Sequence, residues 1–434
     1  MPRRIIPVAS GKGGVGKTTF AVNFALALSR RAPTVLVDLD TATSSVRGAI
    51  DVPIAKDLYH FHRKGEPLAG CITRLDGAAD RYGRYGGFGF IAAPRHYLED
   101  LADPGPELRR RLAMEIGSLP CDYVVVDLRA GVDANVMEFL PYTNTGVLVF
   151  TPQLPLATAA AADIVKAIVF RSLRAIFAPD SEVWTQTAFA DARDLALELL
   201  ARAEDAYDDS VPNLDAMLRE LGELFDGAPI VEALAAMIAD FRVHYVLNQF
   251  DGVEQSHERA VVPFVRNLGE NVSTTLDLTQ LGWIVHDPAL HRANCSGRPY
   301  LLEPERPKSV AAPPAAVKRD SADAALAELE ALRSAYLGVD RRTARRAPPK
   351  AAETPAPASV DALLGEQLDT LRAMFTDRKQ DSVRENFTYC VFRALNLMNP
   401  PRLPTELGMT QIAQPQQLVR WLLRRLPGAA QPAS

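Results

Sequence analysis

A glycine-rich stretch near the amino terminus, SGKGGVGKTT over residues 10–19, carries the side chains best suited to hold phosphate. It lies between the apolar run Ile5 to Ala9 and the apolar-periodic run Phe20 to Ser29, which predicts a strand, a tight turn and a helix. Glycines let successive backbone N–H groups point at one oxyanion, and the helix amino terminus adds partial positive charge. The stretch fits G-x-x-x-x-G-K-[ST], in which Lys17 reaches the outer phosphates and the Thr18 hydroxyl binds Mg²⁺. The predicted phosphate-binding residues are Gly11, Lys12, Gly13, Gly14, Val15, Gly16, Lys17, Thr18 and Thr19.

Acidic side chains stand at the ends of two other strand-like runs. The first run is Thr34 to Asp38, with Asp40 two residues later, and the second is Cys121 to Asp127. Because doubly wound sheets bind ligands at the carboxyl ends of their strands, these acids are expected beside the glycine-rich turn. Four apolar residues followed by an acid form a Walker B pattern, so Asp127 is predicted to hold Mg²⁺ directly or through water. Helix capping is the alternative for Asp38 and Asp40.

Length, composition and cysteine usage restrict the class of protein. The 434 residues are 47% apolar and 23% charged, which is ordinary for a globular chain of roughly two or three domains. The net charge of −5 argues against a protein that coats nucleic acid through bulk charge, although a local basic patch stays open. Four scattered cysteines without C-x-x-C spacing indicate a reduced, cytoplasmic protein without a cysteine-bound metal. No apolar run is long enough to predict a membrane span.

The lysine directly after the first glycine extends the motif. Lys12 gives KGGVGKTT, which resembles the deviant Walker A loop of the MinD/ParA family of P-loop ATPases. The resemblance implies ATP and Mg²⁺ as ligands, a homodimer on ATP binding, and Lys12 reaching the partner subunit's nucleotide while Lys17 binds within its own subunit. A solvated loop lysine is the alternative for Lys12. VDLD resembles the family's switch I, where Asp40 orients the attacking water and Asp38 lies near Mg²⁺; Thr41 stands where relatives usually have Pro or Gly.

Two further segments continue the resemblance. Leu128, Arg129, Ala130 and Gly131 resemble switch II, with Arg129 in place of the usual Pro or Gly. Arg129 is either an extra clamp on the γ-phosphate or a salt-bridge partner at a dimer face. Asn248 ends the strand-like run from Val243, and the resemblance implies that its amide contacts adenine. The Thr-Pro strand end at Pro152 and the closing stretch 276–300 are similar to the MinD/FlhG branch.

The resemblance implies an α/β fold in residues 1–305, a doubly wound, mostly parallel sheet of about seven or eight strands. Two parts lie outside it. An acid-rich helical insertion at about 173–240 is either a partner-docking module or a solvated excursion on the rim of the sheet. Beyond the fold, the sequence predicts a Pro/Ala/Arg-rich linker over 306–358 containing a helix at 321–337, a small helical domain over 359–427 and a disordered tail over 428–434.

The end of the chain predicts a short basic amphipathic helix. Its apolar arc comprises Leu418, Val419, Trp421, Leu422, Leu423 and Leu426. Such a helix suits interfacial membrane binding, and MinD-branch proteins end in a similar one, which would allow peripheral contact with the inner face of the membrane. The alternative is that the helix completes a bundle with Leu363 to Leu397.

These features together imply an ATP-dependent dimerising switch that positions or regulates a partner assembly. Hydrolysis, slow until a partner stimulates it, would reset the dimer, and the partner would dock on the insertion or on the C-terminal helices. Two alternatives stay open. One is a nucleotide-held scaffold in a multiprotein conflict or secretion system with little turnover, and the other is a ParA-type DNA-binding partition ATPase.

Overall fold

The computed structural model describes residues 4–41, 44–186, 193–205, 207–225, 228–304, 359–376, 382–398 and 414–426. The described residues from 4 to 303 and from 359 to 426 belong to one compact unit. The predicted linker over 306–358, its helix at 321–337 and the tail over 428–434 lie outside the described residues.

Eight strands in the described part of the chain form one sheet, ordered β3-β4-β2-β5-β1-β6-β7-β8. They are β1 Arg4–Ala9, β2 Thr34–Asp38, β3 Thr73–Arg74, β4 Phe88–Ile91, β5 Tyr123–Asp127, β6 Val147–Phe150, β7 Arg242–Phe250 and β8 Asp277–Val285. All neighbours pair in parallel except β3 and β4, which are antiparallel. The predicted doubly wound, mostly parallel sheet is confirmed.

Helices connect the strands and cover the sheet. Through the first six strands they are α1 Lys17–Ser29, α2 Ser45–Ala49, α3 Leu58–Lys64, α4 Glu99–Ala102, α5 Pro106–Ser118 and α6 Ala134–Met137. After β6 come α7 Pro155–Ile176, α8 Glu182–Gln186, α9 Arg193–Glu204, α10 Leu214–Leu224 and α11 Pro229–Ala239. The remaining helices described are α12 Val253–Ser256, α13 Val262–Asn271, α14 Pro288–Cys295, α15 Val360–Thr376, α16 Val383–Leu397 and α17 Pro415–Leu423. None of these described helices is long and apolar enough to cross a membrane.

Helix α1, which carries the end of the glycine-rich loop, is buried on nearly every side. Its inner side packs on the sheet, and its outer side is covered by α16 from the C-terminal region. The Phe20 and Phe24 rings stack at 5.2 Å between centroids, and the Phe387 ring of α16 lies 6.0 Å from that of Phe20. The C-terminal region therefore completes the core around the loop.

The C-terminal helices pack on the sheet, although the sequence predicts a small domain of their own in residues 359–427. Successive residues of a strand point to opposite faces, so Val246 and Tyr245 mark the two faces of β7. Helix α16 shares a buried cluster with Val246, whereas Gln367 of α15 accepts a hydrogen bond from the Tyr245 hydroxyl at 2.8 Å. The two helices thus lie on opposite faces beside β8, because their apolar stripes need a partner surface and the sheet provides it.

Side chains from these helices also close the free edge of β8. Gln367 donates to the Leu278 carbonyl at 3.3 Å, and Arg393 donates to the Gln280 carbonyl at 3.0 Å. Asn386, which is fully buried, accepts a hydrogen bond from the Val285 N–H at 3.1 Å. Unpaired groups along an edge strand invite pairing with another chain, so this cover protects the sheet from extension.

Helix α17 packs against α7, α8 and α11, which identifies its partner. Leu418, Val419, Trp421, Leu422 and Leu423 are buried there, and Leu426 is half-buried. Arg425 also pairs with Asp240 at the end of α11, at 2.5 Å. The expectation that this apolar arc faces a membrane is therefore corrected, because the fold itself covers it. The expected bundle with Leu363 to Leu397 is corrected as well, since the covering surface comes from α7 and the insertion.

Replacing Phe387 tests whether α16 belongs to the cooperative core. Phe387→Ala should lower the free energy of unfolding by about 3–5 kcal/mol, because it removes a buried ring and leaves a cavity against α1. Urea titration followed by circular dichroism measures the loss. Phe375→Ala is the matched control, since its ring is 47% exposed. Equal, small losses in both variants would show that α16 does not stabilise the core.

Candidate nucleotide-binding site

The loop between β1 and α1 adopts the shape that its glycines predict. Gly16 has a φ of 82°, a left-handed conformation that favours glycine, and it caps the amino terminus of α1. A Cβ on Gly16 would lie 2.2 Å from the Asn248 amide nitrogen, and one on Gly11 would lie 2.2 Å from the Ala160 backbone in α7. These two glycines are required by close packing behind the loop. In contrast, a Cβ on Gly13 or Gly14 would meet nothing within 4 Å, so that side is open to a ligand.

Asp127 at the end of β5 joins the two motif residues that the sequence assigns to phosphate and metal. Lys17 Nζ lies 2.6 Å from Asp127 Oδ1, and the Thr18 hydroxyl donates to Asp127 Oδ2 at 2.7 Å. Lys17 and Asp127 are both buried, so their attraction is screened little by water. The structure thus brings together the lysine, hydroxyl and carboxylate of a P-loop and Walker B pair.

Asp38 lies in register with Asp127 on the neighbouring strand β2 and is fully buried. Its two carboxylate oxygens accept hydrogen bonds from the backbone N–H groups of Asp40, at 3.0 Å, and Val46, at 3.1 Å. Burial, and next the nearby Asp127 charge, raise the pKa of Asp38 to about 8. Asp38 therefore shapes the loop that carries Asp40, besides standing close to the predicted metal position.

The donor set suits Mg²⁺. This ion prefers hard oxygen ligands and usually keeps several waters, so one or two carboxylates and a hydroxyl suffice. Asp127, Asp38 and Thr18 offer these oxygens, and the raised pKa of Asp38 shows that a positive charge would be favourable there. No cluster of three or more His, Cys, Asp or Glu ligands occurs among the described residues.

Lys12 lies on the outside of the loop. Its side chain is exposed, in contrast to buried Lys17, and it forms no ion pair within the described part of the chain. Three exposed apolar residues stand nearby: Val132 follows Gly131, whose N–H donates to the Ser10 carbonyl at 2.9 Å, and Leu154 and Leu156 flank the start of α7. These three residues, called the loop rim below, are exposed on the two segments that contact the loop.

The segment Leu128 to Gly131 follows β5 beside the loop, as the sequence predicts for switch II. Leu128 is buried, and its N–H donates to the Val8 carbonyl of β1 at 3.1 Å. Arg129 donates to the Ala102 carbonyl at 3.1 Å and lies 3.6 Å from Asp133. The guanidinium is thus engaged within its own chain.

Asn248 lies behind the loop at the end of β7. Its amide donates to the Val15 carbonyl at 2.7 Å, and the residue is only 5% exposed. The sequence assigns Asn248 to the adenine base. The structure adds a hydrogen bond from its amide to the loop backbone at Val15.

Two asparagines near the loop have no signal in the sequence motifs. Asn294 of α14 donates to the Thr19 hydroxyl at 2.9 Å, and Asn23 accepts from the Leu301 N–H at 3.0 Å. Both contacts join α1 to the end of the domain, more than 270 residues away. Only a long-range contact map could have found them, because a motif scan tests local spacing.

The fold and this site together define a P-loop nucleotide-binding protein. A family model described as the CobQ/CobB/MinD/ParA nucleotide binding domain matches residues 6–300. The chain therefore belongs to the CobQ/CobB/MinD/ParA family, which confirms the resemblance seen in its motifs.

Several individual proteins are similar to parts of the chain. The chromosome-partitioning ATPase Soj of Thermus thermophilus is 44% identical over 75 residues, covering 17% of this chain and 29% of Soj. The chloroplastic septum site-determining protein minD homolog of Arabidopsis thaliana is 31% identical over 157 residues, covering 35% of this chain and 46% of the homolog. The flagellum site-determining protein YlxH of Helicobacter pylori is 28% identical over 165 residues, covering 37% and 52%. The chain thus spans about half the length or less of these relatives.

Among solved structures, MinD of Pyrococcus horikoshii complexed with Mg-ADP is 17% identical, with a TM-score of 0.38. The match covers 70% of this chain and 90% of that chain.

Asn248→Ala separates support of the loop from contact with the base. We expect the variant to bind ATP, GTP and tripolyphosphate about fivefold more weakly, because one hydrogen bond to the loop is lost. Competition against a fluorescent nucleotide measures the three affinities. Asn396→Ala, at an exposed position of α16, is the matched control. A loss confined to ATP would show that base contact is the main role of Asn248.

Asp38→Asn should remove a pH dependence from stability. The pKa of Asp38 is raised from 3.8 to about 8, so the folded chain binds a proton there that the unfolded chain has released. The free energy of unfolding should therefore fall as pH rises from about 4 to about 8, by at most ~1.4 kcal/mol per pH unit. Urea titrations of the protein in chelator, at several pH values in that window, measure the slope. Asp51→Asn, on the surface, should keep the wild-type slope, and an unchanged slope in Asp38→Asn would contradict the assignment.

Proposed function

We propose that this protein is an ATP-dependent dimerising switch whose hydrolysis of ATP resets the dimer. The observation that carries the proposal is the bonding of Lys17 and Thr18 to Asp127 directly below a loop that exposes Lys12. One lysine serves the chain's own nucleotide, and the other is free to reach outward.

Each part of the triphosphate would be bound by different residues of the chain. Backbone N–H groups of Gly13 to Lys17 face the phosphates, and the helix α1 amino terminus adds its partial charge. Lys17 would turn from Asp127 to the β- and γ-phosphates, and Thr18 and Asp127 would hold Mg²⁺. When bound, Mg²⁺ neutralises charge that develops on the phosphate oxygens. Asp40, two residues beyond the end of β2, would orient the attacking water.

A second copy of the chain is the proposed partner across the loop face. Exposed Lys12 would neutralise the phosphates of the opposite subunit, and the loop rim would supply apolar contact around it. Leu156 is 75% exposed, and Val132 and Leu154 are each 42% exposed. Exposed apolar side chains on the segments that contact the loop, together with the exposed lysine, favour an interface that closes over a charged ligand.

The output of the switch is proposed to be the positioning or regulation of a partner assembly. This follows the roles named for the relatives, which determine septum or flagellum sites or partition chromosomes. The insertion, α8–α11, is the proposed docking element, since it lies outside the nucleotide site and exposes acids such as Asp194, Glu198 and Glu232. Slow turnover suits such a switch, because the partner then sets the lifetime of the dimer.

Light scattering with and without ATP tests the switch. We expect ATP and Mg²⁺ to convert monomer to dimer in an Asp40→Ala background, which slows hydrolysis. Lys12→Ala should abolish the dimer but bind fluorescent ATP within about twofold of wild type, because its side chain is outside the loop's own phosphate cradle. Lys17→Ala should lose binding itself.

Lys64→Ala, at an exposed position of α3, is the matched control and should dimerise normally. A monomer at every nucleotide concentration would overturn the switch. ATP binding without phosphate release by the wild-type chain would instead favour the nucleotide-held scaffold.

A further inference from the structure

A one-turn helix, α4, lies between the two switch segments and accepts a hydrogen bond from each. Thr41, next to Asp40, donates through its hydroxyl to the Leu101 carbonyl at 2.6 Å. Arg129, two residues after Asp127, donates to the neighbouring Ala102 carbonyl at 3.1 Å. Two adjacent carbonyls of one element are thus the acceptors for both segments.

The two donors are the positions at which this sequence departs from the pattern it resembles. A Pro or Gly at position 41 or 129 has no side-chain donor, so neither bond could form. The acceptors are the last carbonyls of a helix, which lack intrahelical partners and need others. Thr41 and Leu101 are 7% and 2% exposed, so this bond is sheltered from water, and its loss would leave buried polar groups unpaired.

Helix α4 is held to the rest of the domain independently of the switch segments. Asp100 lies 2.5 Å from His62 and 2.7 Å from Arg63, both in α3. At its carboxyl end, Asp103 accepts from the Asn135 amide at 3.2 Å, just beyond switch II. The side chains in these contacts are partly exposed and hold the helix weakly, so its position also depends on the bonds from Thr41 and Arg129.

The supported residues flank the groups proposed to do the chemistry. Asp40 and Asp127 belong to the same strand-end layer, where the Leu39 N–H donates to the Asp127 carbonyl at 2.9 Å. A shift of α4 would displace Thr41 and Arg129 together, and with them the backbone on either side of this layer. The Arg129–Asp133 ion pair is partly exposed and adds little to this support.

We propose that Thr41 and Arg129 are positioning residues that fasten both switch segments to α4, so that the segments order and loosen together. The proposal rests on the proposed function, since it concerns the geometry of the same nucleotide site. In this proposal neither Thr41 nor Arg129 touches the reacting atoms. Both residues act by fixing the positions of Asp40 and Asp127.

Hydrogen exchange of the full chain, read by mass spectrometry, tests this coupling without requiring turnover. Thr41→Val keeps the shape of the side chain and removes the hydroxyl, and Arg129→Met keeps its length and removes the donor. Each variant should raise exchange about fivefold in its own segment, residues 38–48 or 127–133, and at least about twofold in the other. Exchange in the double variant should be only slightly faster than in the single variant with the larger effect, because the two bonds share one support.

Matched controls are Thr388→Val on α16 and Arg219→Met on α10, both exposed, which should leave both segments unchanged. Circular dichroism melts verify that each variant folds. If each substitution loosens only its own segment and the effects add in the double variant, the shared support is refuted. Exchange in both segments identical to wild type would also refute it.

ATP binding and phosphate release by the wild-type chain are measured alongside. If the wild-type chain neither binds nor hydrolyses ATP while the exchange effects are coupled, the proposed function fails and the shared support stands. If it hydrolyses ATP while the exchange effects are additive, the reverse holds. In a coupled system that turns over, Thr41→Val should lower kcat more than it raises KM, because the bond orders Asp40 and does not hold the phosphates.

Discussion

The buried contact between Lys17 and Asp127 is the interaction on which the rest of the site depends. It joins the first turn of α1 to the end of β5 at 2.6 Å, and Thr18 adds a second bond to the same carboxylate. A buried ion pair contributes little net stability, but removing one partner leaves a charge without compensation and costs about 3–5 kcal/mol. Asp38 intensifies this constraint, since burial, and next the nearby Asp127 charge, raise its pKa to about 8. A divalent cation beside the two carboxylates would favour the charged form of Asp38 and would free Lys17 to reach toward phosphate.

Around this contact, the chain supports the loop from several directions. Asn248 holds Val15 from below, α7 presses against Gly11, and Asn294 holds Thr19 from the side. The C-terminal region adds α16 behind α1 and closes the edge of β8. Each of these supports comes from a different strand or helix, so the geometry of the loop is set by the tertiary fold and not by the motif alone.

Local patterns predicted the parts of the site that are local. The spacing of Lys17 and Thr18 and the acids after two apolar runs identified the phosphate loop and the carboxylates, because a strand–turn–helix unit fixes these positions over a few residues. Apolar periodicity likewise predicted the helices of the insertion and the C-terminal region. It identified which side of α17 is buried but not the surface that covers it, since a hydrophobic stripe does not specify the surface against which it packs. The bonds of Thr41 to Leu101 and of Asn294 to Thr19 join residues far apart in sequence, and no local pattern encodes such a pair.

The placement of α16 has a consequence for how the protein is made. The loop and α1 leave the ribosome long before α16, because the ring that covers Phe20 belongs to Phe387, which is synthesised after the eight strands described above. Domains generally fold as units during synthesis, and contacts distant in sequence form late because their loop-closure entropy is large. The nascent chain therefore passes through a stage in which the sheet is complete but α1 still presents an uncovered apolar flank. Over that interval the phosphate loop already exists, but it lacks the cover that α16 later provides over α1.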